Sequence, residues 1–269
     1  MRIWIVGPIA WDTVLYVNNL PNIGGFTHAK EHQERPGGQA LNIAVALTQS
    51  GFETGIFGYV GNDEYGKKLI EFAKENIPQV ELKELPHPTP HVVVLVDANG
   101  ERTMVGMEQS YFGEISINMS MIKSEDIVVW PIWRTAFADD LKAVKAKGCR
   151  TIVGLGALNS GLTADIAIGS AWELPTDFDY LREIENFDRI IATNNNQGAT
   201  EYSRTGINQE SAENGRVVDT TGAGDAFICG IIKGLVENKS KEESLKIANA
   251  WAAQAVASKS SIPPKWDLA

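Results

Sequence analysis

The sequence predicts an α/β fold: a doubly wound, mainly parallel sheet flanked by helices, with a small β-sheet lid. Three observations predict it. The short apolar run 3–6, stopped by Gly7 and Pro8, reads as a buried central strand. Strand-like and helical patterns alternate with short connections through the second half, as parallel βαβ units require. Loosely alternating polar and apolar segments near the start suit a separate sheet with one buried face.

Taken in order, strand 3–6 places Asp12 just past its C-terminal end. Segments 13–17 and 27–33 read as a half-exposed hairpin around a turn containing Pro21, Gly24 and Gly25. After Gly37 and Gly38, Leu41, Ala44, Val45, Leu47 and Thr48 recur at helical spacing over 40–50, and Gly51 supplies the stop. A strand over 55–59, a helix over 65–74 and strands over 92–96 and 102–106 follow, the last two joined by an Asn99-Gly100 turn. Strand 127–130, helix 136–147 with Gly148 as its stop, and strands 151–153 and 189–192 continue the alternation. A strand-like 216–218 and helices over 226–237 and 242–258 close the chain. No repeat or linker divides it, so 1–269 reads as one domain, with the lid formed by about 12–35 and 87–108.

At 269 residues, 43% hydrophobic and 22% charged, the chain has the material for one sizeable core. A net charge of -10, with no segregated basic patch, argues against a nucleic-acid or anionic-membrane partner. It does not argue against ATP, because helix N-termini, backbone N–H groups and Mg²⁺ recognise anions locally. Cys149 and Cys229 lie far apart without metal-ligand spacing and read as reduced thiols. The apolar start lacks a cleavage site, and no segment approaches the roughly 18 apolar residues of a membrane span, so the expected location is cytoplasmic.

The strongest chemical signal is the run Asp219-Thr220-Thr221-Gly222-Ala223-Gly224-Asp225-Ala226-Phe227, which opens a helix. Small residues at Gly222, Ala223 and Gly224 let the backbone approach a ligand, and the first-turn N–H groups with the helix dipole form an anion hole. Phosphoryl transfer needs such a device, since its transition state spreads negative charge over the transferred oxygens. Asp225 stands within reach of the same group and is the candidate catalytic base, a weak one if the dipole favours its ionised form. The bland alternative is that Asp219 or Asp225 only caps the helix.

These nine residues resemble the second signature of the ribokinase, or PfkB-type, carbohydrate kinase family. Gly37, Gly38 and Asn42 resemble its first signature, Asp12 matches its substrate-binding Asp, and 58–69 follows its pattern. The run around Ala248, Asn249 and Ala250 resembles the small-residue helix beside the family's adenine site. The resemblance implies a ribokinase-like fold and ATP- and Mg²⁺-dependent transfer to the primary hydroxyl of a sugar or nucleoside. It makes Asp225 the base and Gly222, Ala223 and Gly224 the anion hole, with Asp12, Gly37, Gly38 and Asn42 on the substrate. It places Thr193, Thr221 and Asn249 on the nucleotide side and Glu173 on water-bound Mg²⁺. A monovalent cation such as K⁺ would lie beside the anion hole at Asp219. An exposed lid sheet offers an edge for homodimer pairing.

Three segments depart from the family pattern. Residues 154–159 read GLGALN without the usual acid and Arg, the Asn-x-x-Glu motif survives only as 170–173, and the nucleotide loop begins Thr193-Asn194-Asn195-Asn196. A kinase of a vitamin-like alcohol such as pyridoxal or hydroxymethylpyrimidine is the alternative enzyme, and Gly37, Gly38 and Asn42 argue against it. A non-catalytic sugar-binding relative is the alternative outside enzymes. The glycines at 154 and 156 lack the third of a dinucleotide fingerprint, and there is no Walker-type P-loop. His28, His32, His87 and His91 have no metal spacing, Arg102 reads as a solvated hairpin residue, and Trp11 is the aromatic ring expected to pack on substrate.

Overall fold

The structure is a computed structural model and describes residues 1–107, 111–213 and 215–267; residue 108 of the expected lid lies outside them. A large sheet contains β1 (Ile3–Val6), β4 (Thr54–Gly61), β5 (Gln79–Leu85), β8 (Ile127–Trp130), β9 (Arg150–Gly154), β10 (Ala164–Ser170), β11 (Phe187–Thr193), β12 (Ala199–Ser203) and β13 (Gly206–Glu210). Their spatial order is β13-β12-β11-β10-β9-β8-β1-β4-β5. Seven of them, β11 through β5 in that order, are parallel, and β12 and β13 extend the β11 edge antiparallel. The chain runs outward from β1 to β5, then restarts at β8 on its other side, so β1 is the switch point of a doubly wound sheet.

β1 shows why its sequence is apolar throughout. Ile3 and Ile5 enter one core and Trp4 and Val6 the other, because successive side chains point to opposite faces. The first core is covered by α1 (Gln39–Gln49), α2 (Glu64–Asn76), α5 (Ala223–Val236) and α6 (Lys241–Val256). The second is covered more thinly, by α3 (Ala138–Ala146), the single turn α4 (Tyr180–Glu183) and short 3-10 segments.

The lid is a second sheet of order β3-β2-β6-β7, made of β2 (Ala10–Val17), β3 (Ala29–Gly37), β6 (His91–Val96) and β7 (Arg102–Gly106). It has its own small apolar centre, Val14, Val94 and Val96, while β7 is exposed along its whole length. Gly100 adopts φ 81 at the β6–β7 turn, which the Asn99-Gly100 pair anticipates.

Asp12 lies on lid strand β2, inside the expected lid. Several expectations are corrected. The expected helix 136–147 opens as a 3-10 turn, Thr135–Phe137, before α3. Residues 216–218 form no strand; Val218 N and Asp219 N instead donate to the Val256 carbonyl at the end of α6. β5, β10, β12 and β13 go unanticipated. Three of them are polar edge or near-edge strands, and β10 follows a 3-10 turn, Leu155–Ala157, where the alternation calls for a helix.

Candidate active site

The first signature earns its glycines from packing. A Cβ on Gly37, the last residue of β3, would land on the Asp12 carboxylate, which sits directly over that backbone. Gly38, at φ 92, is the N-cap of α1, and a Cβ there would stand 2.8 Å from Ala10 N and Pro8 O. Asp12 is thereby buried against the strand crossing, and burial raises its carboxyl to about 6 although the Arg35 guanidinium pulls it down.

The same turn of α1 presents Asn42 to Asp225. Asn42 Nδ2 donates to Asp225 Oδ2 at 2.8 Å, across 183 residues of sequence and inside the core. Its Oδ1 is buried with no hydrogen-bond partner among the described residues, and so is Trp11 Nε1. An orphan acceptor and an orphan donor beside two carboxylates suit a polyhydroxylated ligand, since buried polar atoms otherwise carry an unrelieved desolvation penalty. The Trp11 ring itself packs on Tyr65 at 5.4 Å, with Lys68 Nζ 5.6 Å from its centroid, and is buried wall.

The second signature folds as anticipated in outline and differs in its electrostatics. Gly222 takes φ 81 and is the N-cap of α5, with no side-chain cap, so neither Asp219 nor Asp225 caps the helix. A Cβ on Gly222 would strike the Ser261 carbonyl, whereas Gly224 has open space around it. Ala223, Gly224 and Asp225 form the first turn, where N–H groups lack helical acceptors. Asp225 is buried, and desolvation raises its carboxyl to about 7. The Asn42 hydrogen bond, the Arg102 charge and Gln39 pull it down less, and the Asp12 charge adds to the rise. The expectation of an acid held ionised by the helix dipole is therefore wrong in sign, because desolvation outweighs the dipole.

Asp219 is fully buried. Its Oδ1 accepts from Thr221 N at 2.8 Å and its Oδ2 from Tyr16 OH at 3.2 Å, and the Arg35 guanidinium stands 3.6 Å from Oδ2. The position at which the resemblance places a monovalent cation thus already faces a protein cation. Thr221 is buried, and its Oγ1 has no partner among the described residues.

Three lid residues, Arg102, Gly100 and Arg35, join this loop in contacts that sequence reasoning missed. Arg102 Nη1 donates to Thr220 O and Oγ1, both at 2.9 Å, so it is a strap and not a free hairpin residue. The Gly100 carbonyl accepts from Thr220 N at 3.1 Å and from Thr220 Oγ1 at 3.1 Å. Arg35 lies on β3 opposite Asp12 and reaches Asp219. Elsewhere in the lid, His91 shares a hydrogen bond with Thr13 Oγ1 at 2.8 Å.

The candidates expected on the nucleotide side do not form one cluster: Thr193 and Glu173 lie at the C-terminal ends of β11 and β10, Asn249 lies on α6, and Thr221 belongs to the loop before Asp225. Thr193 pairs with Ser170 across the two strands, and its Oγ1 donates to Gly169 O at 3.3 Å. Glu173 is exposed one turn beyond Ser170, and its Oε1 accepts from Ser170 N at 2.9 Å. Asn249, buried on α6, donates from Nδ2 to Glu210 O at 3.3 Å and Ser211 O at 3.1 Å. Residues 195–197 form a 3-10 turn closed by Gly198 at φ 93. Among the described residues no three His, Cys, Asp or Glu side chains converge as a metal cage, so a Mg²⁺ ion here would rest chiefly on nucleotide phosphates and water. A separate cavity of about 640 Å³, lined by residues including Tyr111, Glu114 and Arg134, shares no residue with this site. No helix among the described residues is long and apolar enough to cross a membrane.

Comparison with known proteins bears on the fold and the family. An ATP-dependent ribose-1-phosphate kinase of Halopiger xanaduensis is 27% identical over 94% of this chain and 91% of its own length. Among solved structures, the ribokinase of Thermotoga maritima superposes with a TM-score of 0.76 at 23% identity, covering 98% of this chain and 96% of its own. The Burkholderia thailandensis nucleoside kinase in complex with inosine gives a TM-score of 0.78 at 18% identity, covering 98% and 94%. The profile of the pfkB family carbohydrate kinases matches residues 2–128 and 179–268, leaving out the stretch that contains the departures at 154–159 and 170–173. With both signatures inside the matched segments and joined by the Asn42–Asp225 hydrogen bond, the chain belongs to the pfkB family of carbohydrate kinases.

Proposed function

We propose that the protein transfers the terminal phosphoryl group of ATP to a primary hydroxyl of a small sugar or nucleoside. The observation that carries this reading is Asp225: a buried carboxyl at about 7, hydrogen-bonded to Asn42, at the first turn of a helix that has no side-chain cap and whose Ala223 N–H makes only a long 3.4 Å bond to Thr220 O. A base poised near neutral pH is matched to its task.

In this reading Asp12 and Asn42 Oδ1 accept hydrogen bonds from substrate hydroxyls and fix the reacting one beside Asp225. The hydroxyl oxygen forms its bond to the terminal phosphorus as the bond from phosphorus to the ADP oxygen breaks. Asp225 takes the hydroxyl proton, and Ala223, Gly224 and Asp225 N–H groups receive the charge on the transferred oxygens. Glu173 is the side chain that would hold a nucleotide-bound Mg²⁺ through water, and that ion would supply further charge neutralisation there. Thr193 and Asn249 flank the nucleoside end of ATP, and Thr221 approaches the phosphates.

Release of ADP with ribose, ribose 1-phosphate, fructose, adenosine and inosine tests the proposal. Turnover with at least one carries it. Binding of these compounds without ADP release from ATP favours the second reading, a sugar-binding relative without turnover, which the altered 154–159 and 193–196 segments motivate.

A further inference from the structure

Asp219 poses an electrostatic problem. It is a carboxylate with no solvent exposure, next to the helix N-terminus that would receive phosphoryl groups. An unpaired buried charge of this kind either gains a proton or recruits a cation. Thr221 N and Tyr16 OH supply two neutral donors, and Tyr16 stays a phenol because burial and the Asp219 charge push it up to about 12. Neutral donors lower the cost without cancelling the charge.

The cancelling charge comes from the lid. Arg35 extends from β3 with its side chain only 12% exposed and brings Nη2 to 3.6 Å from Asp219 Oδ2. Nη1 donates to the Lys259 carbonyl, in the segment that follows α6. The Nε and Nη2 groups are buried and make no hydrogen bond among the described residues, so this side of the guanidinium is turned into the loop and away from water. One cationic group therefore touches both the carboxylate and a backbone carbonyl of the anion-hole surroundings. A carboxylate and carbonyl oxygens are also the ligands a hard monovalent ion takes, and here a guanidinium already stands against them. Arg35 is a delocalised, weakly hydrated cation that stays charged at any working pH, the type of cation burial disfavours least.

We propose that Arg35 is the tethered counter-ion of the anion-hole loop, and that this chain needs no K⁺ or other monovalent metal ion at Asp219. Arg35 is a positioning residue: it fixes Asp219, Asp219 fixes the Thr221 amide, and the turn at Gly222 follows. The activity arm of its test rests on the kinase reading above; the melting arm does not.

The experiment measures melting temperature and ADP release at constant ionic strength in tetramethylammonium, Na⁺ and K⁺ chlorides. For the unaltered protein both are expected to be the same in all three salts, within about twofold for kcat. Arg35→Ala is expected to lose at least tenfold in kcat in tetramethylammonium. It should also gain a K⁺-specific rise in melting temperature, and recover activity with K⁺ or added guanidinium. Arg35→Gln, which keeps polarity and much of the length but removes the charge, covers the case in which Arg35→Ala does not fold, and should show the same K⁺-specific rise in melting temperature. A tenfold activation of the unaltered protein by K⁺, or a K⁺-specific rise in its melting temperature, overturns the proposal. An Arg35 variant that matches the unaltered protein in every salt also overturns it. If no substrate yields ADP the kinase reading fails alone, because the melting temperatures still decide the role of Arg35.

Discussion

Asn42 on α1 and Asp225 on α5 are hydrogen-bonded at 2.8 Å, which makes the two family signatures one buried unit although 183 residues separate them. The bond stabilises the ionised form of Asp225 against a desolvation that favours the protonated one. Replacing Asn42 with Leu removes that support, so the carboxyl should rise further. The ascending limb of a kcat/KM profile, expected near pH 7, should move to higher pH in Asn42→Leu. A limb that stays in place or moves down excludes Asp225 as the titrating base.

Asp225→Asn keeps the size of the side chain and an acceptor for Asn42. It should leave ligand affinities nearly unchanged and lower kcat by roughly two to four orders of magnitude, the range of a positioned general base. Its stability effect has a definite sign. The folded protein holds this proton to about 7 against an ordinary 3.8, so the folded state binds protons more tightly and the burial penalty is absent below about pH 4. The penalty grows between pH 4 and 7 and is constant above. Asp225→Asn should therefore melt higher than the unaltered protein at pH 8, by a margin that opens between pH 4 and 7. Equal melting curves across that range contradict the burial argument.

Asp12→Ala should act mainly on substrate binding. Its carboxylate is placed for hydroxyls by Gly37 beneath it, so its loss should raise KM strongly, with a smaller fall in kcat from misplacement. Isothermal titration with a turnover substrate checks it; unchanged affinity removes Asp12 from the substrate site.

The two anion-hole glycines should separate. Gly222→Ala forces a Cβ into the Ser261 carbonyl at φ 81, and should destabilise the fold by roughly 1–3 kcal/mol. Gly224→Ala meets no atom, and Ala is the better helix former by about 1 kcal/mol, so stability should hold or rise while kcat falls because the methyl narrows the phosphoryl approach. Thermal melts paired with kcat would show a reversed order if the loop were only a structural turn.

Glu173→Gln retains an acceptor for Ser170 N and removes the charge. If Glu173 holds a Mg²⁺-bound water, the Mg²⁺ concentration for half-maximal rate should rise severalfold with sugar affinity unchanged. An unmoved Mg²⁺ titration takes Glu173 out of the site.

The sequence shows most clearly what local chemistry determines. The run 3–6 is apolar at every position because β1 is buried on both faces, and Gly51 and Gly148 end helices at φ 90 and 87. Asp225 at a helix opening is legible for the same reason. Arg35 is not, since its partner Asp219 lies 184 positions away and nothing in a polar, exposed strand such as β3 distinguishes the one arginine that turns inward. Arg102 is hidden likewise: its exposure fits a solvated hairpin, and only the packing of that hairpin on Thr220 gives it a task. The raised carboxyl of Asp225 also escapes sequence reasoning, because the helix dipole is a local property and desolvation depends on what the rest of the chain places around it.

The hairpin tip at Gly100 and Arg102 grips Thr220 by its amide, hydroxyl and carbonyl. Swinging the lid outward therefore unfastens the loop that precedes the anion hole, and the cover cannot lift while the cradle stays taut. For a kinase this works as an interlock. In the proposed reaction, nucleotide meeting an uncovered protein would find a slack receiver for its terminal phosphate, and water would have little help in attacking it. An acceptor alcohol that holds the cover down would tighten the cradle, and so tie phosphate release from ATP to the presence of its intended recipient.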